Sequence, residues 1–262
     1  MIKAIFFDVD GTLITADKSY LKDDVIKALN ILRDKGIKLF IASGRHYLEL
    51  EELGINKQFT FDGYLLLNGG YCTIGNDVIY ECKIDYDDML AMYDVISTKN
   101  YPSLFIEDKQ MYINRIDDRV IIAQEAINTS IPIVKETVNL SQIYQLDPYV
   151  TKDELQDIIK DTKNIKVTKW HDFAYDIVPI NGGKASAIKA IQDYYNYNKD
   201  ELMAFGDGNN DIEMMELVGY PIVMDNGKDE VKKYARYICG SVDGIGIIDG
   251  LKYYGLLGDG DV

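Results

Sequence analysis

Short apolar runs that end in polar residues recur toward both ends of the chain. Residues 3–8, Lys-Ala-Ile-Phe-Phe-Asp, read as a buried strand that stops at Asp8. Within 23–35, Val25, Ala28, Leu29 and Leu32 share one helical stripe, and Gly36 follows as a stop. Residues 37–43 form a second buried run. A strand, helix, strand series with short connections predicts a parallel βαβ unit. A third run, 64–68, is followed by Gly69-Gly70.

The pattern changes after Asp85. Met89, Met92, Tyr93 and Ile96 have helical spacing, and 104–114 reads as a hairpin around Asp108-Lys109. Thr151 and Glu154 form a capping box ahead of Leu155, Ile158 and Ile159. Two strand-like runs follow, at 165–170 and 173–178. Hairpins mixed with helices predict an antiparallel sheet backed by helices. From Gly182 the alternating pattern resumes. Ala185, Ile188, Ile191 and Tyr195 mark a helix, 202–207 is a strand ending in Asp207, and 221–224 and 237–239 are short strands. The architecture predicted is an α/β, doubly wound parallel sheet (a Rossmann-like core) made of residues 1–82 and 183–262, interrupted by an inserted α+β domain over 83–182.

Composition narrows the function. The 262 residues are 47% hydrophobic and 27% charged, as in a globular protein. Apolar runs such as 2–7 and 64–67 fall far short of the roughly 20 residues that a membrane helix needs. The first residues lack the basic region, long apolar core and cleavage site of a secretory leader, so a cytoplasmic location is expected. With 28 basic against 43 acidic residues the net charge is −15, which opposes nucleic-acid or anionic-membrane partners. No obligate protein partner is evident. Three widely spaced cysteines, Cys72, Cys82 and Cys239, and two isolated histidines, His46 and His171, leave little room for a disulfide framework, a structural zinc or a Ser–His–Asp triad.

The candidate chemistry falls at strand ends. Asp8 and Asp10 are two apart, and a strand would turn both to one side at the carboxyl edge of the sheet, where ligands of open α/β folds bind. Gly11 permits a sharp turn beside them. Ser43-Gly44-Arg45 offers a hydroxyl and an exposed amide at the end of the second strand. Gly182-Gly183-Lys184 puts a cation at a helix start. Gly206-Asp207-Gly208-Asn209-Asn210-Asp211 follows the fourth predicted core strand, and its oxygen donors suit magnesium. Each is also an ordinary turn or solvated loop when taken singly. Four polar sites at four strand or helix ends are harder to explain that way.

In this order, Asp8-x-Asp10-Gly11-Thr12, Ser43-Gly44-Arg45, Lys184 and Gly206-Asp207-x-x-Asn210-Asp211 resemble the motifs of the haloacid dehalogenase (HAD) superfamily. More narrowly they resemble Cof-type sugar-phosphate phosphatases, whose α+β cap is inserted between the second and third motifs. His46 departs from the resemblance, standing where the family often has Pro, and is expected to alter the rim of the site.

The resemblance implies roles for each position. Asp8 would be the nucleophile and Asp10 the acid and base. Mg2+ would sit among the Asp8 carboxylate, the Asp10 backbone carbonyl and Asp207, with Asp211 behind or bridged by water. Val9, Ser43, Gly44, Lys184 and Asn210 would hold the phosphoryl oxygens. Specificity would rest with the cap, where Arg115, Asp117, Trp170 and His171 are polar residues able to meet a sugar. The activity so implied is hydrolysis of small phosphorylated metabolites through an aspartyl-phosphate. A phosphomutase and a non-catalytic metabolite-binding regulator are the alternatives, the latter having no use for an acid–base Asp10.

Overall fold

The computed structural model describes residues 1–15, 20–127 and 129–262. In chain order the first strands are β1 (Ala4–Phe7), β2 (Lys38–Ala42), β3 (Gly63–Leu66), β4 (Tyr71–Ile74) and β5 (Asp77–Glu81). The next are β6 (Ser103–Ile106), β7 (Met111–Ile113), β8 (Ile133–Val134), β9 (Gln145–Pro148), β10 (Ile165–His171) and β11 (Ala174–Pro179). The last are β12 (Leu202–Gly206), β13 (Tyr220–Met224) and β14 (Tyr237–Cys239). Contacts divide the chain into two units: 1–45, 49–80 and 184–262 in one, and 46–48 with 81–183 in the other.

The first unit is built on an eight-stranded sheet ordered β14-β13-β12-β1-β2-β3-β4-β5. From β14 to β3 neighbouring strands are parallel, with Phe7 beside Ile41 on one side and Phe205 on the other. Every residue of β1 is buried, as a central strand covered on both faces requires. On one face Ala4, Phe6, Phe40 and Ala204 pack against Ala187, Ile188 and Ile191 of the helix Lys184–Tyr195. Helices Asp23–Asp34 and Gly246–Tyr253 contact the sheet through β2 and through β13 and β14. Burying such side chains stabilises by about 1.5–3 kcal/mol each, which fixes the strand ends that carry the polar residues.

The sheet departs from an all-parallel one at its β3 edge, where β4 runs antiparallel to β3 and β5 lies beyond it. Leu67 and Asn68 take left-handed φ angles of 54° and 52°, and Gly69 and Gly70 donate back to Leu66 and Leu67, so the chain reverses directly after β3. A direct reversal makes the next strand antiparallel.

The second unit has a six-stranded sheet ordered β10-β11-β9-β6-β7-β8, antiparallel except at β7/β8. Phe105, Leu146 and Ile177 on one face pack with Met89, Met92, Ile96, Leu155 and Ile158 of the helices Tyr86–Lys99 and Lys152–Ile159. Thr151 and Glu154 make the capping box at the second helix. Cys72, Cys82 and Cys239 are free thiols.

Candidate active site

Asp8 follows β1 directly and is 6% exposed, with its amide bonded to the Phe205 carbonyl of β12. Asp207 follows β12 in the same way, and the parallel register of β1 and β12 sets the two side by side. Asp8, Asp207 and Asp211 each present a carboxylate oxygen within 4.8 Å of the others. Lys184, the first residue of its helix, has a side chain with no exposure, and its ammonium donates to Asp8 Oδ1 and Asp211 Oδ1, both at 2.6 Å. Thr12 Oγ1 donates to Asp207 Oδ1 at 3.2 Å.

Asp211 braces this cluster. A 3-10 turn over Asn209–Asp211 precedes the helix Ile212–Leu217. The turn folds the Asp211 side chain back, so its Oδ2 accepts from the amides of Asp207 and Gly208, both at 2.9 Å. A Cβ on Gly206 would stand 2.6 Å from the Asp211 carboxylate, so glycine is required there. Gly11 has φ +82°, and a Cβ on it would lie 2.4 Å from Asp207 Oδ2. Both glycines let backbone approach carboxylates that any larger residue would displace.

One ammonium among three carboxylates leaves the cluster net negative. Burial, followed by the partly offsetting attraction of Lys184 and the repulsion of Asp211, Asp207 and Asp10, holds the Asp8 carboxyl well above its ordinary range. Burial and then Asp211 push Asp207 up to about 6. Lys184 is lowered by burial, but Asp211 and Asp8 outweigh this and keep its ammonium firmly charged. All the converging donors are hard oxygens, which suits a small divalent cation and not a soft one. Such a cation would supply the positive charge that the carboxylates lack.

Asp10 is placed differently from the expectation. The strand ends at Phe7, so alternation does not carry through Asp8 to Asp10. The Val9 carbonyl accepts from the amides of Thr12, Leu13 and Ile14, and this turn swings Asp10 outward. Its half-exposed carboxylate is absent from the three-carboxylate cluster. Arg45 grips it instead, Nε to Oδ2 and Nη2 to Oδ1, both at 2.7 Å.

The residues expected to hold phosphoryl oxygens occupy a second group. Ser43 is buried at the end of β2 and its Oγ accepts from the Arg45 amide at 3.1 Å. Gly44 lies against the Asn68 amide group, which a Cβ would approach to 3.1 Å. Asn210 Nδ2 donates to Asn68 Oδ1 at 3.2 Å. Asn68 therefore joins the Ser43-Gly44 loop to the Asn210 turn, and it was not among the expected residues. Its signal was available: it is a polar residue just past a parallel strand, as are Asp8, Ser43 and Asp207. Asn226 is a second residue not foreseen, donating to the Gly11 carbonyl at 2.8 Å and accepting from the Val242 amide.

In the second unit several polar candidates have structural work. Asp117 caps the helix Asp118–Ala126 through the amides of Arg119 and Val120 and pairs with the Arg119 side chain. Arg115 donates to the Asn100 carbonyl. Trp170 sits edge-on to Tyr149, and His171 Nδ1 accepts from the Phe173 amide. His46 is buried rather than on a rim, at 2% exposure. Its Nε2 lies 3.1 and 3.2 Å from the carbonyls of Glu107 and Asp108, and its Nδ1 accepts from Leu48, which assigns the proton to Nε2. Burial lowers its tendency to charge.

A Rossmann-like sheet with aspartates, a buried lysine and close-packed glycines at its carboxyl edge is the arrangement that the HAD resemblance implied. The profile of the haloacid dehalogenase-like hydrolase family matches residues 5–251, and the chain belongs to that family. It is 30% identical over 264 residues to a Bacillus subtilis protein named "Putative phosphatase YkrA", covering 97% of this chain and 98% of that one. It is 24% identical to the Escherichia coli 5-amino-6-(5-phospho-D-ribitylamino)uracil phosphatase YbjI, over 95% of this chain and 94% of the relative. The fold matches the HAD subclass IIB sugar phosphatase BT4131 with a TM-score of 0.84 at 29% identity, over 97% of this chain and all of that one. The protein is a phosphomonoester hydrolase of the HAD superfamily. No helix among the described residues is long and apolar enough to cross a membrane.

Proposed function

We propose that this protein is a magnesium-dependent phosphatase of small phosphorylated metabolites, acting on phosphate esters of sugars or sugar alcohols through an aspartyl-phosphate on Asp8. The observation that carries this reading is the convergence of Asp8, Asp207 and Asp211 on the buried Lys184 ammonium. The substrate class is supported by the sugar phosphatase of similar fold and by the relative named for a phosphoribityl compound, both phosphate esters of polyhydroxylated carbon chains.

Lys184 occupies Asp8 Oδ1, which leaves Oδ2 as the attacking oxygen. Attack of Oδ2 on phosphorus breaks the bond to the leaving oxygen, and Asp10 gives that oxygen its proton. Asp10 then takes a proton from water, the water oxygen attacks phosphorus, and the Asp8–phosphate bond breaks to give inorganic phosphate and the free carboxylate. Val9, Ser43, Gly44, Lys184 and Asn210 hold the phosphoryl oxygens, where fixed donors stabilise charge without reorganising. Asp8, Asp207 and the Asp10 carbonyl would hold magnesium, with Asp211 orienting them from behind, and the ion would neutralise phosphoryl charge in this acidic site. Residues 83–182 would act as the cap that selects the leaving group.

Phosphate release from a panel of phosphorylated sugars and polyols tests the reading. Chelator is expected to abolish it, magnesium to restore it, and calcium to substitute poorly, because calcium favours longer bonds and more ligands. Full activity in excess chelator contradicts the metal assignment.

The raised carboxyls give a second readout. A carboxyl whose pKa is higher folded than unfolded stabilises the fold at low pH and loses that contribution as pH rises. For Asp207 the window runs from its ordinary 3.8 to about 6. Above it the apo cluster is strained by unpaired charge, which magnesium relieves. Magnesium is therefore expected to raise Tm clearly at pH 8 and little at pH 5, where protons compete for the same oxygens. A magnesium shift of Tm as large at pH 5 as at pH 8 places the ion elsewhere.

Asp10→Asn is expected to slow hydrolysis of an alkyl phosphate by roughly 10²–10⁴-fold, the usual scale of general acid–base catalysis. At the phosphorylation step an aryl phosphate, whose leaving group needs little protonation, should lose much less. Equal losses for both rule out the acid role.

A further inference from the structure

Arg45 is a motif residue to which neither the mechanism nor the phosphate-binding set gives a task. Its side chain is 11% exposed, whereas that of its partner Asp10 is 49% exposed. The contact is two parallel N–H···O bonds of 2.7 Å, the fork-to-fork geometry that fixes both the position and the plane of a carboxylate. Among the described residues these two bonds are the side-chain contacts shown for the Asp10 carboxylate.

The arginine is itself firmly held. Its amide donates to Ser43 Oγ at 3.1 Å and its carbonyl accepts from the Leu67 amide at 3.3 Å. Leu67 has one of the two left-handed angles that end β3. One turn thus ties the hydroxyl assigned to the phosphoryl group to the guanidinium that grips the acid.

The arrangement is poor as a device for stability alone. Arg45 Nη1 is buried without a hydrogen-bond partner, and Glu49 Oε1 lies 3.8 Å from it, beyond hydrogen-bond reach. Buried donors in folded proteins are nearly always paired. An ion pair to a half-exposed carboxylate contributes little to folding. The guanidinium has two of its donors committed to Asp10 and leaves a third unpaired, a geometry that favours the aim of Asp10 over satisfaction of the arginine.

We infer that Arg45 is the positioning residue for Asp10, holding the general acid in place beside the leaving group and acting on the reaction through Asp10 rather than on the substrate. The inference rests on the phosphatase reading above and deepens it. Without Arg45 the Asp10 side chain, past the end of β1 and open to solvent, samples rotamers that carry its oxygens away from the reacting atoms. Misplacement by about 1 Å costs about 10²-fold in rate. Lysine is no substitute, because one ammonium cannot make two in-plane bonds to a carboxylate.

The test is a double-mutant cycle on the full chain with magnesium, using an alkyl phosphate and an aryl phosphate. Arg45→Ala is expected to lower kcat for the alkyl ester about 10–100-fold with KM within about threefold, and the rate of the phosphorylation burst with the aryl ester less than about threefold. Neither Arg45→Lys nor Arg45→Gln, each with a single donor nitrogen, should restore the wild-type rate for the alkyl ester. In an Asp10→Ala background Arg45→Ala should add nothing for the alkyl ester, because the group it positions is gone. A retained burst of phenol from the aryl ester, which reports the phosphorylation step alone, certifies the fold of each variant. If Arg45→Ala does not fold, the comparison of Arg45→Gln with wild type on the two esters decides alone. The inference is overturned if Arg45→Ala raises KM alike for both esters, if its effect multiplies independently with that of Asp10→Ala, or if alkyl turnover is unchanged. A wild-type protein that releases phosphate from neither ester overturns the phosphatase reading instead.

Discussion

Asp8→Asn is expected to abolish phosphate release while leaving the fold intact. The side chain keeps its shape, its amide bond to Phe205 is untouched, and one carboxylate fewer lowers the repulsion within the cluster. Tm in the absence of metal should therefore equal or exceed that of wild type. An amide oxygen is a weak nucleophile and a weaker ligand for a hard cation, so the chemical step loses its attacking group. Removal of a nucleophile costs on the order of 10⁴–10⁶-fold in kcat where it has been measured in other hydrolases. Stopped assays of inorganic phosphate together with a thermal melt check both halves. Retention of even a tenth of wild-type turnover excludes covalent catalysis through Asp8.

Lys184→Met is expected to damage both stability and rate. The ammonium is wholly buried and bridges Asp8 and Asp211 at 2.6 Å, so its loss leaves buried carboxylates facing one another. Breaking a buried ion pair by removing one partner costs about 3–5 kcal/mol. The carboxyls respond by taking up protons, so the deficit in urea denaturation should be largest at pH 8 and shrink at pH 5. Magnesium should restore part of it by replacing the lost charge. The rate should fall about 10²–10³-fold even where the variant is folded, the scale of losing one preorganised donor to a developing charge. A variant as stable as wild type at pH 8 without metal shows that the cluster does not depend on Lys184.

Much of the core of this protein was legible because parallel strands buried on both faces are plain apolar runs. The β1 run, the stripe Val25, Ala28, Leu29 and Leu32, and the β12 run all lie where the pattern put them. The same logic located the polar residues at strand ends, including Asp8, Ser43 and Asp207. Where the sequence was silent, long-range geometry decides. Asp10 and Arg45 are 35 positions apart, and their pairing depends on a turn around the Val9 carbonyl that no alternation rule describes. Asp211 joins the cluster by folding back onto two amides, not by helical spacing from Asp207.

In the second unit β9 has the sequence Gln-Leu-Asp-Pro, which carries no strand signature. It pairs with β6 and β11 all the same, and Gln145 satisfies Asp147 with a 2.9 Å bond so that both can be buried. The helix Asp118–Ala126 escaped because the exposed Ile121 and Ile122 blur its apolar stripe, although the Asp117 cap was present to announce it. The edge strands β5 and β8 expose much of their surface, so the core imposes no clear period on their residues.

The covalent step can be isolated in Asp10→Ala with magnesium and an aryl phosphate. The aryl leaving group departs without an acid, whereas the water that must cleave the aspartyl-phosphate lacks its base. One equivalent of phenol per enzyme should appear in a burst, followed by slow turnover, and peptide mass spectrometry should find one phosphoryl group on Asp8. Steady phenol release with no burst and no phosphoryl group on Asp8 would contradict the aspartyl-phosphate route.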